Sequence, residues 1–134
     1  MRNPPPDLPY ARREDDKILN KRQKGAEGEN IAADYLCNKG YRILGRNYRF
    51  EHGEIDIIAE DGITLVFVEV RGRGSKDYGE AEDSVTPKKR RKIRATAEGY
   101  MFEKKIADRE CRFDVIAVDY HAGKIEIRHT ENAF

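Results

Sequence analysis

The chain has 134 residues, 38% of them hydrophobic and 38% charged, with a formal net charge of +1. That length suits one domain with one core, and apolar residues clustered in short runs exclude a disordered polymer. Two widely separated cysteines, Cys37 and Cys111, argue against a disulfide framework or a zinc site, and no apolar run is long enough to cross a bilayer.

Residues 1–18 carry four prolines and mixed charge without periodicity. They read as an extended or disordered tail ahead of a domain spanning 19–134. The opening MRNPPPDLPYARREDD lacks the apolar centre of a secretory signal. A reduced, cytoplasmic setting is expected, with both cysteines as buried free thiols.

A helical pattern begins at Asn20. Ala32, Ala33, Leu36 and Cys37 form its apolar stripe, and Gly40 is its expected stop. Glu29 lies one turn before Ala33 and should project from the buried face. Gly25 and Gly28 either admit a close neighbour or delay the helix start. Strands are expected over 41–50, 53–60 and 63–70, the last two joined by a two-residue turn at Asp61-Gly62. A glycine-rich polar loop follows over 71–84. Thr86 as N-cap and Pro87 at the first helical position open a second helix, with Ile93, Ala97, Tyr100 and Met101 as its stripe. Strands over 111–120 and 124–130, turned by His121-Ala122-Gly123, complete the chain. The fold class is α/β, a mixed central sheet of about five strands flanked by helices.

The stretch GEIDIIAEDGITLVFVEVR, 53–71, places carboxylates inside two apolar strands. With Asp61 and Gly62 as the turn, Asp56 pairs with Phe67 and Glu54 with Glu69. Alternation then puts Glu54, Asp56, Phe67, Glu69 and Arg71 on one face, and Ile55, Ile57, Val66, Val68 and Val70 on the other. Asp56 and Glu69 become diagonal neighbours about 7–8 Å apart. Like charges that close raise one pKa, and a divalent cation removes the conflict. A metal site is one reading. A solvated outer face and salt bridges to nearby arginines are the others. A three-residue turn would separate the two acids.

TPKKRRKIR, 86–94, packs six basic residues into nine. It is either a solvated face or a phosphate-attracting patch. Lys89 lies one turn before Ile93 and should face the sheet. Arg71, Arg73, Lys76 and Tyr78 would form a mobile basic rim. Acids at the centre with cations around them suit a nuclease. His52, His121 and His129 have no zinc-binding spacing and read as solvated. Asp114 either pairs with an arginine or supports the site from a neighbouring strand. Tyr41, Tyr48, Phe50 and Tyr100 read as packing rather than base stacking.

GAEGENIAADYLCNKGYRILGRNYR, GEIDIIAEDGITLVFVEVR, VTPKKRRKIRATAEGYM, RFDVIAV and the final NAF resemble the YraN family of bacterial proteins from about Lys24 to Phe134. That family in turn resembles the restriction-endonuclease-like PD-(D/E)xK nucleases, archaeal Holliday-junction resolvases among them. The resemblance implies a restriction-endonuclease-like fold and phosphodiester hydrolysis with Mg2+ or Mn2+. It implies Asp56, Glu69 and the Val70 carbonyl as metal ligands, with Glu29 binding directly or through water. Catalysis would involve Asp56, Glu69, Arg71 and Lys89. Arg71, Arg73, Lys76, Lys88, Lys89, Arg90, Arg91 and Lys92 would bind nucleic acid. This chain reads E-V-R where the family usually reads E-V-K. Arginine offers a planar fork to developing charge but is a poor general base.

The expected function is a metal-dependent DNA endonuclease, with branched or other repair and recombination intermediates as candidate substrates. The alternative is a nucleic-acid-binding protein that keeps the fold without turnover, and a third reading is a structural partner in a nucleic-acid-processing complex. DNA is the expected partner and RNA the second choice, with no membrane. A homodimer is left open.

Overall fold

The computed structural model describes residues 21–74 and 85–134. The proline-rich segment 1–18, Lys76 and Tyr78 lie outside them, as does the side chain of Arg73. The described elements are α1 (Lys21–Asn38), β1 (Arg42–Phe50), β2 (Gly53–Asp61), β3 (Thr64–Gly74), α2 (Pro87–Glu103), β4 (Cys111–His121) and β5 (Lys124–Thr130). The five strands form one sheet in chain order. All neighbours are antiparallel except β3 and β4, which run parallel. The parallel step is forced by α2, which carries the chain back across one face before β4 begins. The result is the mixed α/β arrangement expected from the sequence.

Each helix covers one face of the sheet. Ile31, Ala32 and Leu36 of α1 pack with Tyr41, Ile57, Val66, Val68, Ile116 and Val118. Ile93, Ala97 and Tyr100 of α2 pack with Ile55, Ile58, Leu65, Phe67, Val115 and Ala117 on the opposite face. A sheet covered on both sides reads as continuous apolar runs in its central strands, as in ITLVFVEV. Among the described residues, no helix is long and apolar enough to cross a membrane.

Both helices obey their local signals. Gly40 has φ 98°. Its N–H donates to Cys37 O at 3.0 Å while that of Tyr41 donates to Leu36 O at 2.9 Å. Only a left-handed residue closes both bonds, and Tyr41 packs beside Leu36 as such a stop requires. Thr86 caps α2, its hydroxyl accepting from the Lys89 N–H at 3.2 Å, with Pro87 following.

Several expectations need correction. Cys37 is exposed and Cys111 partly so, because the buried stripe of α1 runs through Ile31, Ala32 and Leu36. The β2–β3 turn is Gly62-Ile63, since Asp61 pairs with Thr64 and Glu60 with Leu65. That register differs from the expected one by two residues, so parity survives and Phe67 and Glu69 still face the α2 side. Ile55 does not share the face of Ile57. It packs under α2 while Ile57 packs under α1. His129 is not solvated: its side chain is 2% exposed and its Nε2 lies 2.8 Å from Asp114. Gly25 admits no neighbour, and a Cβ on Gly28 would make only ordinary contact with Tyr120.

Candidate active site of buried carboxylates

The reversal between Ile55 and Ile57 happens at Asp56, and it is what brings a carboxylate into the sheet. The β2–β3 ladder runs from the turn down to Ile57↔Val68 and stops. On the other side, β2 pairs with β1 at Arg46↔Ile57 and Tyr48↔Ile55. Between those pairs stands Asn47, with φ 53°, a conformation asparagine tolerates better than most residues. Asp56 therefore sits at an irregularity shared by two strands. Its side chain turns toward β3, where Oδ2 accepts the Val70 backbone N–H at 2.8 Å. The carboxylate replaces a carbonyl that a regular ladder would have supplied.

Continuing the β2–β3 register by one residue sets Asp56 opposite Glu69, directly across rather than diagonally. Glu69 is 5% exposed and is buried on the α2 side. Burial comes first among the causes that push Asp56 up to about 8, followed by the negative charge of Glu69, and then of Glu29. The Val70 N–H bond acts in the opposite sense and does not offset them. Burial and the neighbouring acids thus favour the protonated form of Asp56, whose carboxyl can donate toward Glu69.

Two cations meet Glu69. Lys89 Nζ lies 2.9 Å from Glu69 Oε2, and Arg71 Nη1 lies 3.3 Å from the same oxygen. Lys89 reaches it because the Thr86 cap fixes the first turn of α2, and the stripe through Ile93 faces the sheet. The expectation that Lys89 points inward is met. Glu29 is mostly covered but is drawn to Arg46 of β1, Nη2 to Oε1 3.7 Å. Sequence reasoning missed Arg46; its one signal was a basic residue four places before a strand end, too common to single out.

The donors suit a hard divalent cation. They are oxygens, and two carboxylates suffice for magnesium when waters and a phosphate complete the shell. Such an ion would favour the ionised form of Asp56 that burial and the neighbouring acids disfavour. As placed, however, no three acidic, histidine or cysteine side chains among the described residues form a group that could hold a metal. Glu69 is satisfied by its own cations, and Glu29 by Arg46.

The basic helix divides in two. Lys88, Arg91 and Lys92 are exposed. Arg90 is held by the fold: its Nε donates to Val85 O at 2.8 Å, and its guanidinium lies 5.4 Å from the Phe134 ring centre. Arg94, beyond the expected set, lies 4.8 Å from the Phe113 ring centre. Phe134 stacks on Phe113, so the final residues NAF close the α2 side of the sheet.

Asp114 does not support the site. It is fully buried on the α1 side, where Arg112 donates to both its oxygens at 2.9 and 3.0 Å and the Asn132 N–H donates at 3.0 Å. Burial opposes its ionisation, but the bonds from His129, Arg112 and Asn132 outweigh burial and hold it below its ordinary value. Tyr41, Tyr48, Phe50 and Tyr100 pack as expected, Tyr48 edge-on to Tyr100 and hydrogen-bonded to Glu103.

The uncharacterised protein family UPF0102 matches residues 28–118. A UPF0102 protein of Persephonella marina is 50% identical over 111 residues, 83% of this chain and 92% of its own. One from Chlorobium limicola is 51% identical over 94 residues, 70% of this chain and 73% of its own. Among solved structures, Pyrococcus furiosus SfsA in complex with Ca2+ aligns at 16% identity and a TM-score of 0.33, over 85% of this chain and 64% of that one. That likeness is too slight to bear on the site. The family matches cover both carboxylate strands and the basic helix, and the chain belongs to the uncharacterised protein family UPF0102, the family its motifs identify as YraN.

Proposed function

We propose that this protein is a metal-dependent nuclease that hydrolyses phosphodiester bonds in DNA, with RNA as the second choice. The observation that carries the reading is the Asp56–Glu69 pair. Buried Glu69 and half-buried Asp56 face each other at a distortion of two strands, and Asp56 is pushed up to about 8. A fold gains nothing from that arrangement alone, and such perturbed groups concentrate at functional sites.

In this reading Asp56, Glu69 and the Val70 carbonyl would hold Mg2+ or Mn2+, with Glu29 joining once it leaves Arg46. The ion when bound supplies Lewis acidity and a water of lowered pKa. The protein's own part is positioning and charge. Asp56 would serve as a ligand in its ionised form. Lys89 and Arg71, which now lie 2.9 and 3.3 Å from Glu69 Oε2, would be released from it and present cationic donors to the phosphate oxygens. Arg71 stays protonated and stabilises charge rather than moving a proton. Lys88, Arg91 and Lys92 hold the strand by its phosphates.

A second reading has its own observation. Glu69 is already neutralised by two cations, and Glu29 by a third. A protein that binds nucleic acid without turnover would look the same, with the acids serving only to orient the cations.

The deciding experiment is a cleavage assay on labelled four-way junction, flap, single-stranded and duplex DNA with magnesium, manganese or EDTA. The nuclease predicts metal-dependent cleavage that falls by at least about 100-fold in both Asp56→Ala and Glu69→Ala. No cleavage on any substrate, with binding intact in EDTA, selects the second reading. Arg71→Lys then tests the departure from E-V-K, since restored activity in that variant would identify the arginine as the cause.

A further inference from the structure

A cleft of about 310 Å3 lies between the β1–β2 turn and the first turns of α2. His52, Gly53 and Glu54 form one wall, and Lys88, Lys89 and Lys92 the other. Lys89 belongs to this cleft and also contacts Glu69 at 2.9 Å, so one side chain is shared between the cleft and the carboxylates. Three ammonium groups face it, and they differ in their partners. Lys89 is matched by Glu69. Among the described residues, no carboxylate lies within salt-bridge range of Lys88 or Lys92. Both are exposed, on one ridge of the helix, at the i, i+4 spacing that sets side chains about 5–6 Å apart. Glu54, the acid on the opposite wall, is turned toward Arg49 at 3.8 Å.

The wall is built to stay in place. A Cβ on Gly53 would stand 1.9 Å from Thr96 Oγ1, so the turn backbone lies flush against α2. The Thr96 hydroxyl is itself tied to Lys92 O at 2.8 Å. The cleft is therefore a fixed gap between turn and helix, sharing Lys89 with the carboxylates.

Resting on the nuclease reading, we propose that this cleft is a nucleotide subsite for the same DNA strand. It takes the unit next to the scissile phosphate, with Lys88 and Lys92 on that unit's phosphate. The geometry makes two demands of the ligand. It must carry negative charge to match two lysines that have no carboxylate in range among the described residues, and it must continue past Lys89 into the carboxylate site. A nucleic-acid strand does both. The volume suits one nucleotide rather than a duplex, which implies that the strand enters the cleft separated from its complement.

The test is binding, read in EDTA so that it is independent of turnover. A short fluorescent oligothymidylate is titrated against the intact protein, and anisotropy is followed over a range of salt. Lys88→Ala/Lys92→Ala should weaken binding by about tenfold and flatten the log K against log salt slope by about 0.7, the value for one phosphate of a single strand. Lys88→Arg/Lys92→Arg should keep both. Lys104→Ala/Lys124→Ala removes equal charge elsewhere on the surface and should cost less than about twofold. Equal losses in the two alanine pairs would overturn the subsite, because general charge would then explain them. So would an unchanged salt slope. A negative cleavage assay leaves this outcome unaffected, so the two proposals fail separately.

Discussion

Asp56 is the residue on which the site turns. Its side chain accepts the Val70 N–H and shares a proton with Glu69. Asparagine reproduces both contacts, with its oxygen toward Val70 and its amide donating to Glu69, and it does not ionise. The linkage has a definite sign. A carboxyl whose folded value is raised to about 8 binds its proton more tightly folded than unfolded. Its favourable contribution is complete below the ordinary carboxylate range and is lost as pH rises through about 8. Wild-type stability should therefore fall between about pH 5 and pH 9 relative to Asp56→Asn. Near pH 9 the variant should be the more stable by on the order of 5 kcal/mol, about 1.4 kcal/mol for each unit of the rise. Urea unfolding of both proteins across that range measures it. Parallel pH profiles would show that the proton on Asp56 is misassigned.

At the scale of elements, α2 does the most to assemble the site, and two glycines let it. A Cβ on Gly99 would stand 2.4 Å from the Phe50 ring, and Gly53 meets Thr96 as described. Both contacts join α2 to the β1–β2 hairpin, whose far strand carries Asp56. In a free helix, Gly99→Ala would gain up to about 1 kcal/mol. Here the ring should reverse the sign, and the variant should lose about 1–3 kcal/mol by overpacking. In a Phe50→Ala background the same substitution should become neutral or stabilising. A double-mutant cycle in thermal unfolding reads the coupling directly. Additive effects would mean the ring and helix are not in contact.

The same elements explain what was legible in the sequence. Every strand and helix named in advance exists, because Gly40, Thr86-Pro87 and the Ala122-Gly123 turn are strong local signals. The inward reach of Lys89 followed from helix periodicity alone. The β2–β3 register was off by two residues because Asp61-Gly62 is a good hairpin signal, yet Asp61 stays in the ladder opposite Thr64. The site survived that error because parity was unchanged. What could not be read was the break at Asp56. It depends on Asn47 of β1 and Val70 of β3, neighbours that no periodicity within β2 specifies. Burial of Asp114 with His129 was hidden for the same reason, since its partners come from β4, β5 and the residues after β5.

At the scale of the whole molecule, the two faces of the sheet treat buried charge in opposite ways. On the α1 side, Asp114 is held by Arg112, His129 and a backbone N–H, and its carboxyl stays below its ordinary value. That network is complete and has no need of a ligand. Toward the α2 side, Asp56 faces Glu69 and is raised, because burial and two neighbouring acids, Glu69 and Glu29, outweigh its one N–H donor. Among the described residues no cation pairs with Asp56, while Glu69 and Glu29 each have theirs. A divalent cation that binds there must displace the Asp56 proton, so binding and pH are linked. Magnesium should raise the melting temperature little near pH 6, where the proton competes, and by several degrees near pH 9, where it does not. Asp56→Asn should abolish the pH dependence of that shift. EDTA should return the wild type to its metal-free value at both pH values. A magnesium shift of equal size at the two pH values, or one retained in Asp56→Asn, would place the cation elsewhere. The buried pair would then be a site for orienting Lys89 and Arg71, as the reading without turnover requires.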